Sequence, residues 1–231
     1  MVLTLGGGCM CGRFTLTVSE EQLEDYLNLQ FDKPLMQEIH FQPRYNIAPS
    51  QQVIAVIYDG KQYRVGRLKW GFTSGRNQPI SKPFSVINIR QETMQSKPMF
   101  KEAYKSKRCL ILADGFYEWH RVENNKQAYH ITLKNETIFT MAGLWDSYLD
   151  ENAERQYTCG IITTASETSM AKIHERKPLI LDKNHQRAWL EAGLEVNSLD
   201  NYEQFLQFNK VSSYVNRVQN DDHKCIESID E

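Results

Sequence analysis

The strongest constraint on the fold is the recurrence of short strand-like runs between turns, with few helical patterns separating them. The clearest is the pair Val53–Tyr58 and Lys61–Lys69 around Asp59-Gly60, where the Asp-Gly step supplies the turn of a hairpin. Further strands are expected at Phe84–Ile89, Cys109–Ala113, Phe116–Trp119, Ala128–Leu133, Ile138–Trp145, Tyr157–Thr164 and Val211–Val218. Helices are fewer. One follows Ser19, which can cap it with Gln22 closing the box and Val18 stapling Leu23. Others are expected from Lys97, from Asp182 through Trp189 with Gly193 as the stop, and over about Leu199–Phe208. This order predicts an α+β fold, a single domain with a curved, mostly antiparallel β-sheet or open barrel core and peripheral helices. A chain of 231 residues can bury such a core, and no Pro/Gly/Ser-rich linker divides it.

Charge narrows the function classes. A formal net charge of −2 argues against a protein that coats a polyanion, so any nucleic-acid contact must be a local patch. Lys97, Lys101 and Lys105 recur at fourfold spacing with Lys107 and Arg108 close behind, a stripe that reads as a solvated face or as a phosphate-steering surface. The five cysteines are odd in number and irregularly spaced, which fits a reducing, intracellular compartment rather than a disulfide framework. Cys9-Met10-Cys11 lacks zinc-site spacing, and no motif implies a metal or organic cofactor. No apolar run approaches a membrane span, and Met1–Gly8 lacks the basic start of a secretory signal.

Chemistry concentrates at Met10-Cys11-Gly12-Arg13-Phe14. If translation began at Met10 and that residue were trimmed, Cys11 would carry both a thiol and a free α-amine. An aldehyde condenses with such an amine to a Schiff base, and the sulfur then closes a thiazolidine. Glu118, flanked by Phe116, Tyr117 and Trp119, is a second candidate, because a desolvated carboxyl shifts toward a working acid/base range. His174 offers an imidazole suited to proton transfer. Each has a plainer alternative when taken singly: Cys11 as a small buried hydrophobe, Asn88 as a strand-edge hydrogen-bonder, Glu118 as half of an ion pair, His174 as a loop histidine.

The motifs Cys11-Gly-Arg-Phe, Arg44-Tyr-Asn-Ile-Ala-Pro-Ser-Gln51, Lys69-Trp-Gly-Phe72, Asn88-x-Arg-x-Glu-Thr93, Asp114-Gly-Phe-Tyr-Glu-Trp119, Ala142-Gly-Leu-Trp145, His174-x-Arg-x-Pro178 and Val211-Ser-Ser-x-Val-Asn216 together resemble the SOS-response-associated peptidase (SRAP) family, in order along nearly the whole chain. The resemblance implies a β-rich domain over 11–220 that binds single-stranded DNA and captures abasic sites as a DNA–protein cross-link. Carried over by position, Cys11 is the nucleophile, Asn88 orients it, and Glu118 and His174 manage protons. Arg13, Arg90 and Arg176 hold phosphates, while Trp70 and the turn from Asn46 to Pro49 line the groove. The expected partner is single-stranded DNA with abasic sites, bound by a monomer without a membrane; in a bacterium the location would be cytoplasmic or nucleoid-associated. Two departures stand out: Thr73-Ser-Gly-Arg-Asn77 replaces the usual proline and tryptophan, and Lys177 replaces a methionine, adding charge near the DNA.

Residues 1–10 read as a leader outside the mature protein, and 221–231 as an acidic, frayed tail. An amide at Cys11 forbids the thiazolidine, so the leader is an over-extended start, a self-cleaved segment, or a retained one; the first is favoured. Two other functions compete, a Cys/His-dependent autopeptidase or hydrolase and a non-covalent single-strand binder.

Overall fold

In the computed structural model the described residues are 12–36, 41–75, 79–81, 83–122, 125–193, 195 and 202–229. Cys11, the leader and the last two residues of the tail lie outside them. The chain runs β1 (Arg13–Leu16), α1 (Glu20–Phe31), β2 (Leu35–Met36), β3 (Arg44–Ile47), β4 (Gln52–Tyr58) and β5 (Tyr63–Trp70). Then follow β6 (Asn88–Arg90), α2 (Gln91–Met94), α3 (Pro98–Ser106), β7 (Arg108–Ala113), β8 (Gly115–Val122), β9 (Asn125–Leu133), β10 (Phe139–Leu149) and β11 (Arg155–Ala165). Last come β12 (Arg176–Pro178), β13 (Ile180–Leu181), α4 (Gln186–Leu190) and β14 (Leu206–Val211), with short 3-10 turns between and after them.

Two sheets share the core. One has the order β14-β9-β8-β1-β3, and the other runs β12-β11-β10-β7-β4-β5-β2. The second closes into a ring of β11, β10, β7, β4 and β5, because β5 also pairs in parallel with β11 at Thr158↔Lys69 and Cys159↔Trp70. Closure removes two sheet edges that would otherwise need cover. Gly71 makes it possible: at φ +145 it turns the chain out of β5, and a Cβ there would lie 2.4 Å from the Ser85 hydroxyl.

Local rules account for the best-read elements. Ser19 Oγ accepts from the Gln22 amide at 3.2 Å while the Ser19 amide donates to Gln22 Oε1 at 2.9 Å, completing the box before α1. Leu23, Leu27 and Phe31, at helical spacing, bury that helix's inner face. In the hairpin, Asp59 Oδ1 accepts from the Lys61 and Gln62 amides, so its side chain orders the loop.

Four expectations change. Leu206–Phe208 belongs to a strand, because β14 pairs with β9 from Leu206↔Leu133 to Val211↔Ala128. The expected strand Val211–Val218 stops at Val211, and Ser213–Asn216 coils into a 3-10 turn started by Ser212 Oγ accepting from the Tyr214 amide. Phe84–Ile89 contributes only its end to β6, with Val86 bridging to Phe72. The tail is anchored rather than frayed: Asp221 accepts from the Tyr45 and Asn46 amides, Cys225 is buried, and Ser228 bridges to Val211.

Candidate functional site

The site grows from strand alternation in β8. Phe116 and Glu118 point to one face and Tyr117 and Trp119 to the other. Phe116 belongs to the main core and Tyr117 to a second apolar cluster with Ala128, Val211, Val215 and Cys225, so both faces of the strand are packed. Glu118 therefore arrives buried, at 1% exposure, where the core side meets a cleft. Gly115 must be glycine, because a Cβ would approach His130 Nε2 to 2.1 Å. Burial holds that imidazole down at a pKa of about 4, so it is neutral near neutral pH.

The facing wall is the turn after Met170–Lys172. The His174 amide donates to the Met170 carbonyl at 2.9 Å, and its Nδ1 accepts from the Arg176 amide at 3.0 Å. In the neutral ring this leaves the hydrogen on Nε2. The Arg176 carbonyl lies 3.2 Å from the same Nδ1, so it can accept a hydrogen bond whenever Nδ1 carries a hydrogen. Glu118, Trp119, His120, Arg121 and Lys126 line one side of a cleft of about 500 Å³, and Ala171 to Glu175 line the other. A buried carboxyl and an imidazole thus share one cleft, the arrangement needed to move a proton to or from a bound group.

The other expected residues fall into different settings. Arg176 is buried; its guanidinium donates to both Glu92 carboxylate oxygens at 2.5 and 2.9 Å and to the Thr163 carbonyl at 2.5 Å. It anchors the His174 turn instead of offering a free fork to phosphate. Arg13 donates to Asn46 Oδ1 at 2.8 Å and to the Val215 carbonyl at 3.0 Å. Asn46, fully buried, donates in turn to the carbonyls of Val215, Arg217 and Asn220. These two tie the start of β1 to the C-terminal segment. Trp70 is 1% exposed, edge-on to Phe14 at 5.2 Å, with its indole donating to the Ile87 carbonyl, so its ring faces core rather than groove. Pro49 and Asn88 are half-buried and Arg90 is exposed; Asn88 registers with Ile161 on β11 and is not among the cleft-lining residues.

Lys177 is also reassigned. It is buried and its Nζ donates to Glu203 at 2.7 Å, so it adds no charge to an outer surface. Glu203 further accepts from the Glu167 and Met170 amides and the Thr168 hydroxyl. Burial alone would raise its pKa, but these donors outweigh that and hold it at about 2. Glu203→Ala is expected to destabilise the fold by about 3–5 kcal/mol, because a buried ammonium and two amides lose their acceptor. Urea unfolding at neutral pH checks this. The carboxylate contributes fully above the ordinary glutamate value of 4.5 and progressively less as pH falls toward about 2. A midpoint unchanged in the variant would show that Lys177 has other compensation.

In the basic stripe, only Lys97, Lys101 and Lys105 remain exposed. Lys107 pairs with Asp146, and Arg108 is buried with its guanidinium 4.4 and 4.5 Å from the Tyr104 and Trp189 rings. Sequence reasoning missed the cleft's own cations, Arg121, Lys126 and Lys172; their only signal was their nearness in sequence to Glu118 and His174. Among the described residues no three His, Cys, Asp or Glu side chains could hold a metal ion, and no helix is long and apolar enough to cross a membrane.

The chain matches the family model described as SOS response associated peptidase (SRAP) over residues 10–218. It is 36% identical to the abasic site processing protein YoaM of Bacillus subtilis, with 95% of this chain and 98% of that protein covered. It is 29% identical to the abasic site processing protein YedK of Escherichia coli, with 78% and 79% covered. A crystal structure of a protein from Bacteroides thetaiotaomicron superposes with a TM-score of 0.79 at 20% identity, covering 94% of this chain and 99% of that one.

Proposed function

The chain belongs to the SOS response associated peptidase family, and from that premise we propose that it binds single-stranded DNA and captures abasic sites covalently through Cys11, shielding the lesion. The names of the relatives support the target, an abasic site. The observation that carries the chemistry is the strand register at the cleft. β1 pairs antiparallel with β8 at Arg13↔Tyr117, so one step back Gly12 falls level with Glu118. We therefore assign the reaction to the cleft that Glu118 lines.

The reaction follows from the groups. The neutral α-amine of Cys11 attacks the aldehyde carbon of the ring-opened sugar to give a carbinolamine. Its hydroxyl leaves as water on taking a proton from the imidazolium form of His174; the iminium left behind returns its N–H proton to that ring, and an imine results. The thiol then adds across the C=N bond: sulfur bonds to carbon, and the thiol proton passes by way of the Glu118 carboxylate to nitrogen. The product is a thiazolidine, formed with net loss of one water. An α-amine titrates near ~7.7–8.0, so part of it is nucleophilic at neutral pH. Arg90, exposed and close enough to Glu92 to lower its pKa, is the family-matched arginine to which we assign a phosphate contact.

This chemistry needs residues 1–10 absent from the active form, and the family match beginning at Met10 supports that reading. The test is aldehyde dependence. Oligonucleotides carrying a natural abasic site, a tetrahydrofuran analogue without the aldehyde, or an intact base are incubated with protein beginning at Cys11. An adduct of protein plus DNA minus water is expected with the natural abasic site alone. Adducts on the tetrahydrofuran strand would reject the aldehyde chemistry.

A further inference from the structure

We propose that Arg121, Lys126 and Lys172 form a phosphate clamp across the mouth of the Glu118–His174 cleft, gripping the backbone of the single strand next to the lesion. The inference rests on the function proposed above and names a set of contacts that it lacks.

Two observations point to an anion there. Arg121 and Lys126 sit directly opposite each other on β8 and β9, and both side chains are exposed. Like charges facing across a strand pair cost stability unless an anion lies between them. Among the described residues neither makes an ion pair. The second observation is convergence. Lys172 reaches the same cleft from the opposite wall, exposed and likewise without an ion pair among the described residues, so three cations from two separate segments surround one opening. The acidic groups on the same cleft are Glu118, buried at its base, and Glu175 on the rim. The rim is therefore cationic in a chain whose net charge is −2.

The clamp also resolves a shortage. Arg13 and Arg176, expected from sequence to hold phosphates, are engaged with Asn46 and the Val215 carbonyl, and with Glu92. An abasic nucleotide offers no base to hold, so the flanking phosphates are what can be gripped. A hairpin and an opposing turn straddling the acid/base groups would fix that backbone while the sugar aldehyde enters the cleft.

The experiment measures equilibrium binding of a single strand carrying the tetrahydrofuran analogue, by anisotropy over a salt series. Wild type is compared with the triple variant Arg121→Gln, Lys126→Gln, Lys172→Gln. An equal-charge control carries Lys97→Gln, Lys101→Gln and Lys105→Gln on α3, none of which lines the cleft. The clamp variant is expected to lose about 2 from the slope of log affinity against log salt, at about 0.7 per phosphate contact, and at least about tenfold in low-salt affinity. The α3 variant is expected to keep the wild-type slope. A clamp variant that binds like wild type overturns the assignment, as does loss of slope in the α3 variant alone or wild-type binding without salt dependence. Adduct formation on the natural abasic strand is scored in parallel. Loss of slope in a protein that forms no adduct leaves the clamp standing and rejects the covalent function instead.

Discussion

Protein beginning at residue 11 and carrying Cys11→Ala is expected to leave no adduct on a denaturing gel, yet to yield one when borohydride is present. Alanine keeps the α-amine and loses only the sulfur. The amine still condenses with the aldehyde, but without a thiol the imine cannot close to a thiazolidine and hydrolyses on denaturation. Borohydride reduces that imine to a stable secondary amine and so traps it. Affinity for the tetrahydrofuran strand should change little, because phosphate contacts dominate single-strand binding. A heat-stable adduct from the alanine variant without reductant would assign the cross-link to another nucleophile. Failure of borohydride to trap anything would mean that the amine is not the first attacker.

Glu118→Gln is expected to slow adduct formation by about 10²–10⁴-fold, the usual contribution of a positioned acid/base group. The two side chains have nearly the same shape, and the position is 1% exposed, so packing on β8 is retained and the loss reports on the proton. Among the described residues that line this cleft, Glu118 is the buried one, and its carboxylate can accept the thiol proton and return it to nitrogen. Measured as the first-order rate from a saturated complex, the effect separates from binding. An unchanged rate would leave His174 or solvent as the sole proton carrier and reduce Glu118 to a structural role.

What the sequence disclosed and what it hid differ by the range of the interaction. The capping box before α1, the β4–β5 hairpin and the strand around Glu118 depend on neighbours a few residues away, and these were readable. Closure of the ring depends on β5 meeting β11 in parallel, a pairing between segments far apart in sequence that no local pattern encodes. The same distance explains the side chains that moved between roles. An arginine in a motif looks identical whether its fork meets phosphate or Glu92, and only the fold brings Glu92 to Arg176. Asn46 and Arg13 resemble groove residues until the 3-10 turn at Ser213–Asn216 comes back to present its carbonyls. Trp70 reads as a stacking platform until Phe14 and the Ile87 carbonyl enclose it. Lys177 looked like an added surface charge because Glu203, its buried partner, comes from the other side of α4. Glu118 and His174 line one cleft, each presented by a local device, strand alternation for one and a tight turn for the other.

The central claim is that a free amine and a thiol at Cys11 act together, and one comparison tests it most directly. Protein beginning at Met1, protein beginning at Met10 and protein trimmed to Cys11 are each weighed intact and incubated with a single strand carrying one natural abasic site. Denaturing gels and adduct masses are then recorded. Covalent adduct confined to species whose mass places Cys11 at the N-terminus, each lighter by one water than its parts, is the predicted result. A full yield of adduct from protein that still carries residues 1–10 would contradict the account, because an amide at Cys11 cannot form the imine from which the thiazolidine closes.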